Sequence, residues 1–314
     1  QYGIDTISYC TLMAFVMECY EAGILNKERT GGLELPFGAQ DAAMEVLHQM
    51  ARGEGFGLIA GQGIRRMKKI FAEEYGADPA FLQDIGMENK GLEYSEYVTK
   101  ESLAQQGGYG IALKGAQHDE AWLIFLDMVN KQIPTFEDKA EALHYFPMWR
   151  TWFGLNGLCK LPWNDVEPED NAETDEPAKV PKHVQCYCDF WAGVTGQEIT
   201  PAGLIAQSER VYNFQRIFNL KMGFGTREPK VEYKSRVVRY DTQLKKEVGF
   251  DPEGKSTEEK MAALRAWRED RYEQLLDAVY KRRGWTENGV PARETAKKLG
   301  IDKMPGLMEL LEKN

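Results

Sequence analysis

Three residues stand out by type and position: Cys10, His118 and Cys159. Cys10 lies in the stretch GIDTISYCTLMAF, where Asp5 precedes an uncharged run from Thr6 to Met17. A cysteine at the mouth of an apolar helix beside a carboxylate admits two readings. It is a small buried hydrophobe, or it is a soft thiolate ligand for a metal. His118 follows ALKGAQ and precedes DEAW. That spacing puts it at the first turn of a helix expected over His118–Asn130, where free N–H groups favour negative charge. Asp119 or Glu120 could orient its imidazole or cap the helix. The chain has 4 histidines, so few side chains titrate near neutral pH. A catalytic His118 and a histidine held by its own cap both fit this spacing. Cys159 ends GLNGLC, where Gly154 and Gly157 open backbone shapes closed to other residues. Loops of this kind hold iron–sulfur ligands, because backbone N–H groups can bond cluster sulfurs.

Other catalytic patterns are absent. The sequence contains no GxSxG, HExxH or GxxxxGK[ST], and no GxGxxG that opens a helix. His48 and His183 read as surface residues and His144 as structural. Cys19, Cys186 and Cys188 read as structural too. The 5 cysteines, odd in number and scattered in spacing, argue against a disulfide framework and fit a cytoplasmic, reducing compartment, and the lack of a CxxC pair argues against a four-cysteine site at short spacing.

The elements that must position these residues are mostly helical. A helix is expected over 6–26, closed by Gly23, and another over Ala39–Gly53. Ile64, Met67, Ile70, Phe71 and Tyr75 form a helical stripe that Gly76 ends. Asn89–Gly115 is glycine-rich and reads as irregular with short strand-like pieces. Asp138–His144 reads as a short helix, and Phe146–Trp163 as aromatic-rich and irregular. Asn164–Lys179 carries seven acids and reads as a solvated loop. Thr200 caps a helix over Pro201–Asn219 with proline at its first position. Arg227–Phe250 reads as an extended connection. Ser256 and Glu259 form a capping box for a helix that runs to Gly284. Pro291–Leu299 and Met304–Glu312 close the chain as short helices. No alternating βα pattern is present, which excludes a doubly wound sheet. A boundary near residue 88 divides the chain into 1–88 and 89–314.

The chain has 314 residues, 43% hydrophobic and 28% charged, with a net charge of −10. That balance is globular and lacks the basic stripe of a nucleic-acid binder. No apolar run reaches the ~20 residues needed to span a bilayer. Gln1 is not an initiator, so the sequence reads as a piece of a longer polypeptide.

Several segments in this order resemble the tungsten-containing aldehyde:ferredoxin oxidoreductase family. GIDTIS at 3–8 is similar to the second half of its D-x-x-G-L-D motif, which holds a pterin. GLC at 157–159 is similar to the end of its D-x-x-G-L-C motif, with Gly154 at the acid position. His118, 28 residues after Lys90 of KGLE, sits where the family has its active-site histidine. GVTGQEIT, ERVYNFQRIFN and RRGWTENGVPARETAKKLGI support the likeness over essentially the whole chain.

The resemblance implies a mainly α fold: the two helical C-terminal domains of that family, without its β-rich first domain. It implies a tungsten bis-pterin cofactor, a [4Fe–4S] cluster, and magnesium bridging the pterin phosphates. Asp5, Thr6, Gly157, Leu158, Cys159 and Lys160 would line these groups, with Cys159 as cluster ligand. A cysteine at position 10, with KGAQHDEAW, resembles the branch of tungsten subunits of class II benzoyl-CoA reductases, in which a cysteine binds tungsten. The implied reaction is two-electron reduction of an aryl-CoA ring, with His118 as proton donor. The implied partner is an iron–sulfur electron-transfer subunit or ferredoxin, within an oligomer. The alternatives are aldehyde oxidation and a non-catalytic assembly subunit that has lost its metal.

Overall fold

The computed structural model describes residues 2–95, 101–160, 179, 181–224, 227 and 244–313. The architecture is mainly α: the described residues are 63% helix and 2% strand. Two compact units divide it. One comprises Gln1–Lys100, Lys114–Ala116 and Pro229–Trp267; the other comprises Glu101–Leu113, Gln117–Glu228 and Arg268–Asn314.

The first unit opens with helices α1 (Thr6–Glu21), α2 (Gln40–Arg52), α3 (Gly57–Ala60), α4 (Ile64–Tyr75) and α5 (Pro79–Ile85). Asp5 caps α1, and its Oδ1 accepts from Ser8 N at 2.8 Å. Gly53 and Gly76 end α2 and α4 in the left-handed conformation, as their place after the apolar stripes predicts. Phe15 of α1 stacks on Phe71 of α4 at 5.9 Å in a core that Val16, Val46, Ile64 and Met67 complete. A hairpin follows, β1 (Glu88–Asn89) and β2 (Leu92–Glu93), turned by Lys90 and Gly91, both at positive φ. Glu93 Oε1 accepts from Ile64 N at 2.9 Å, so the hairpin supplies the cap that Gly63 cannot give α4.

The second unit holds α6 (Leu103–Ile111), α7 (Phe136–Leu155), α8 (Pro181–Thr195) and α9 (Pro201–Lys221). Their core includes Leu143, Phe146, Trp149, Trp152, Tyr212 and Leu275. The capping box of Ser256 and Glu259 forms as expected and opens the helix Thr257–Arg283. Residues up to Trp267 of that helix belong to the first unit and those from Arg268 to the second.

Three expectations are corrected here. Helix α6 runs through the stretch 89–115 read as irregular. Its glycines make close approach possible, since a Cβ on Gly110 would lie 2.2 Å from Tyr272 Oη and one on Gly107 would lie 2.5 Å from Leu143 Cδ1. Helix α7 continues past His144 through Pro147 to Leu155. Proline cannot donate to Leu143 O. Arg283, buried, donates to that carbonyl at 3.1 Å and to His144 O at 3.0 Å, so the freed acceptors stay satisfied. The helix expected from His118 is absent: 117–123 is irregular and a π-helical turn forms only at Phe125–Val129. Val129, at the end of that turn, is exposed. The acidic stretch 164–178 and most of the connection from Arg227 lie outside the described residues.

Candidate functional site

Cys10 sits in the second turn of α1. Its two neighbours point inward, Tyr9 Oη donating to Ala43 O and Thr11 Oγ1 to Tyr94 O at 2.7 Å. Burial raises the Tyr9 phenol to about 12, so it stays a neutral donor. With both neighbours anchored, Cys10 is left exposed on the opposite face, flanked at helical spacing by exposed Ile7 and Ala14. Cys19, nine positions on, is fully buried, and burial raises its thiol strongly. The helix thus separates one packing cysteine from one available thiol. Asp5 and Thr6 lie exposed at its start, after Gly3 at φ +71°.

His118 lies in the irregular segment 117–123 and is partly buried. The segment is entered through Gly115 at φ +122°, where a Cβ would meet Leu92 Cβ at 2.6 Å and Asn89 O at 2.7 Å. Only glycine fits there. Gln105 of α6 pins the exit: its Oε1 accepts from Leu123 N at 2.8 Å and Ile124 N at 3.0 Å, and its Nε2 donates to Ala121 O at 3.1 Å. Glu120 Oε2 accepts from Leu113 N at 2.9 Å. Asp119 accepts twice: its carbonyl from Arg150 Nε, its carboxylate from Lys160 Nζ at 3.1 Å. Gln105 and Arg150 were not singled out in the sequence. A lone arginine inside FPMWRTWFG was the available signal, because a buried cation needs built partners.

Cys159 leaves α7 through a glycine-ended turn. Leu158 N donates to Phe153 O at 2.9 Å, Asn156 Nδ2 to Trp152 O at 2.8 Å, and Gly157 takes φ +66°. Gly157, Leu158 and Cys159 are exposed, and Lys160 is partly buried. Among the described residues nothing lies within 4 Å of where a Cβ on Gly154 or Gly157 would stand.

His183 departs from its expected surface place. It is fully buried in α8, its Nε2 lies 2.6 Å from Tyr187 Oη, and its ring lies 5.2 Å from that of Trp149. Burial, reinforced by Arg150, lowers it to about 3, so it is a neutral core residue. His144 is lowered to about 3 by burial and by Arg283, which agrees with its structural reading.

Among the described residues no group of three or more His, Cys, Asp or Glu side chains could hold a metal. Cys10 and Cys159 fit a metal or cluster as single ligands, since each is an exposed soft donor. Among the described residues no helix is long and apolar enough to cross a membrane.

A family model described as aldehyde ferredoxin oxidoreductase, domains 2 and 3, matches residues 1–301. A tungsten-containing aldehyde ferredoxin oxidoreductase of Pyrococcus abyssi is 26% identical over 315 residues, covering 96% of this chain and 44% of its own length. One of Pyrococcus furiosus is 28% identical over 309 residues, covering 95% and 43%. The solved structure of the active site complex BamBC of benzoyl coenzyme A reductase, in complex with 1,5-dienoyl-CoA, contains a chain 20% identical to this one. It matches with a TM-score of 0.58 over 100% of this chain and 45% of the solved one, and this likeness shows the fold. The chain therefore spans less than half the length of these relatives.

Proposed function

The chain belongs to the aldehyde ferredoxin oxidoreductase family, of which it carries domains 2 and 3, and on that premise we propose that it is part of a tungsten bis-pterin oxidoreductase that reduces the ring of an aryl-CoA such as benzoyl-CoA. The bound cofactor would supply the two-electron redox chemistry, with a [4Fe–4S] cluster delivering electrons from an iron–sulfur partner or ferredoxin.

In this reading Cys10 is the tungsten ligand, and the observation that carries it is the exposure of its thiol on α1 between two anchored neighbours. Asp5 and Thr6, exposed at the start of the same helix, would hold the pterin. Gly157, Leu158, Cys159 and Lys160 form the cluster loop, with Cys159 the ligand. His118 holds and delivers the proton, its loop fixed by Gln105 and by the bonds to Asp119 and Glu120.

Aldehyde oxidation is the second reading, favoured by the names of the relatives at 26% and 28% identity. In that case His118 assists attack on the carbonyl and Cys10 binds nothing. Metal analysis of the intact polypeptide tests the family-level reading, since a non-catalytic assembly subunit would carry no stoichiometric tungsten. The choice of ligand is tested by Cys10→Ala, for which X-ray absorption at the tungsten edge should show one fewer sulfur scatterer. An unchanged sulfur count removes Cys10 as a ligand and favours aldehyde chemistry.

A further inference from the structure

Asp119 directly follows His118, and Lys160 directly follows Cys159. One ion pair therefore joins the segment assigned to proton supply with the segment assigned to the cluster. Lys160 Nζ lies 3.1 Å from Asp119 Oδ2, and the two side chains are only 15% and 24% exposed. Surface pairs contribute little because water and salt screen them. A pair this covered is screened less, and separating it leaves two charges poorly hydrated.

Both ends of the pair are held by structure. The Asp119 carbonyl accepts from Arg150 Nε, and Arg150 is buried in the middle of α7. Burial weighs against the Arg150 charge, and Asp119 is the largest group that offsets it. Lys160 is placed by the turn that ends the same helix, where Leu158 N bonds Phe153 O. Helix α7 thus grips Asp119 from its interior and from its end. The strand of chain that carries His118 has no regular structure of its own, so these contacts fix its path.

Resting on the reading that Cys159 ligates a cluster and His118 supplies protons, we propose that the Asp119–Lys160 pair is a positioning and charge-balancing device that ties the His118 segment to the cluster loop. An ammonium beside a cluster favours its reduced, more negative state, and net charge and hydrogen bonding set cluster potentials. Asp119 offsets the Lys160 ammonium, so the pair sets the charge next to the Cys159 thiolate while it holds the neighbouring loop.

The test uses the full-length holoenzyme and reads two quantities besides activity. They are the midpoint potential of the cluster, from a redox titration followed by EPR, and hydrogen exchange of the segment 113–123. Asp119→Asn leaves Lys160 uncompensated and should raise the potential. Lys160→Gln removes the cation and should lower it. Both should speed exchange of 113–123. The charge-reversed double variant Asp119→Lys with Lys160→Asp keeps a pair, so it should retain exchange protection while the potential falls below wild type. Should a single variant fail to fold, the double variant decides alone. Potentials that stay at the wild-type value, or that move the same way in both single variants, would overturn the proposal, because a purely structural role cannot produce opposite signs. Iron content of Cys159→Ser reports separately on the underlying reading: a full cluster there removes Cys159 as ligand whatever the ion pair does.

Discussion

His118 shows what a single residue's chemistry requires of its surroundings. The stretch directly after it is held by bonds to Asp119 and Glu120 and by Gln105 reaching Ala121, Leu123 and Ile124. None of those bonds needs the imidazole to titrate. A proton-transfer role is therefore tested by removing the titration while keeping a side chain that can hydrogen-bond. General acid–base catalysis by one residue contributes about 10²–10⁴ in rate. His118→Ala should lower turnover by a factor in that range, ~10²–10⁴, with tungsten and iron content unchanged. His118→Asn should match it, because an amide keeps size and hydrogen bonding but cannot carry a proton at neutral pH. Steady-state turnover on protein of matched metal content decides this, and near wild-type activity of the Asn variant would sink the proton-transfer role. Of these residues, His118 and Cys159 were legible by type and by neighbouring glycines. Arg150 and Gln105 were not, since a side chain that bonds backbone far along the chain leaves no periodic trace.

Helices with apolar stripes and sequence-local caps were legible: α1, α2, α4, α9 and the helix Thr257–Arg283 all begin or end close to their signals. Helices α6 and α7 were not, because residues distant in sequence override their local breakers. Propensity alone says that glycine in a helix interior is worth replacing with alanine, by about 1 kcal/mol. At Gly110 the sign reverses. Its Cβ would stand 2.2 Å from the hydroxyl of Tyr272, which is itself buried. Gly110→Ala should destabilise the second unit by about 1–3 kcal/mol, the usual cost of overpacking. Gly154→Ala is the matched control, since among the described residues nothing lies within 4 Å of its Cβ in the last turn of α7. It should be neutral or stabilise by up to about 1 kcal/mol. Urea midpoints of the two variants check the pair, and equal shifts would mean that the contact with Tyr272 does not govern α6. The same logic explains α7, where Arg283 takes up the carbonyls that Pro147 leaves, a partnership 139 and 140 residues apart in sequence.

Acid should act unequally on the molecule as a whole. The net charge is −10 at neutral pH, so mild acid relieves repulsion and would by itself favour the compact state. Two histidines oppose that in the second unit. Burial, with Arg150, lowers His183 to about 3, and burial, with Arg283, lowers His144 to about 3. In the unfolded chain a histidine binds its proton near pH ~6.5. Between these values the unfolded state holds more protons than the folded one, so stability is full above the unfolded pKa and declines as pH falls toward the folded one. In the first unit exposed Glu259 is shifted down by the Ser256 N–H and Lys255, and the buried shifted carboxyl is Glu88. Burial raises it, but Lys68 and Arg65 outweigh burial and its net shift is down, so its contribution is lost only at lower pH. The second unit should therefore weaken at a higher pH than the first. His183→Gln keeps a partner for Tyr187 and cannot titrate. It should remove about 2 kcal/mol of the stability lost between pH ~7 and ~5, by the linkage relation. Tryptophan fluorescence during urea unfolding follows this unit well, because among the described tryptophans Trp267 alone falls in the first. If the variant and the wild type lose equal stability over that interval, His183 is not held neutral in the fold, and its burial against Trp149 must be relieved in solution.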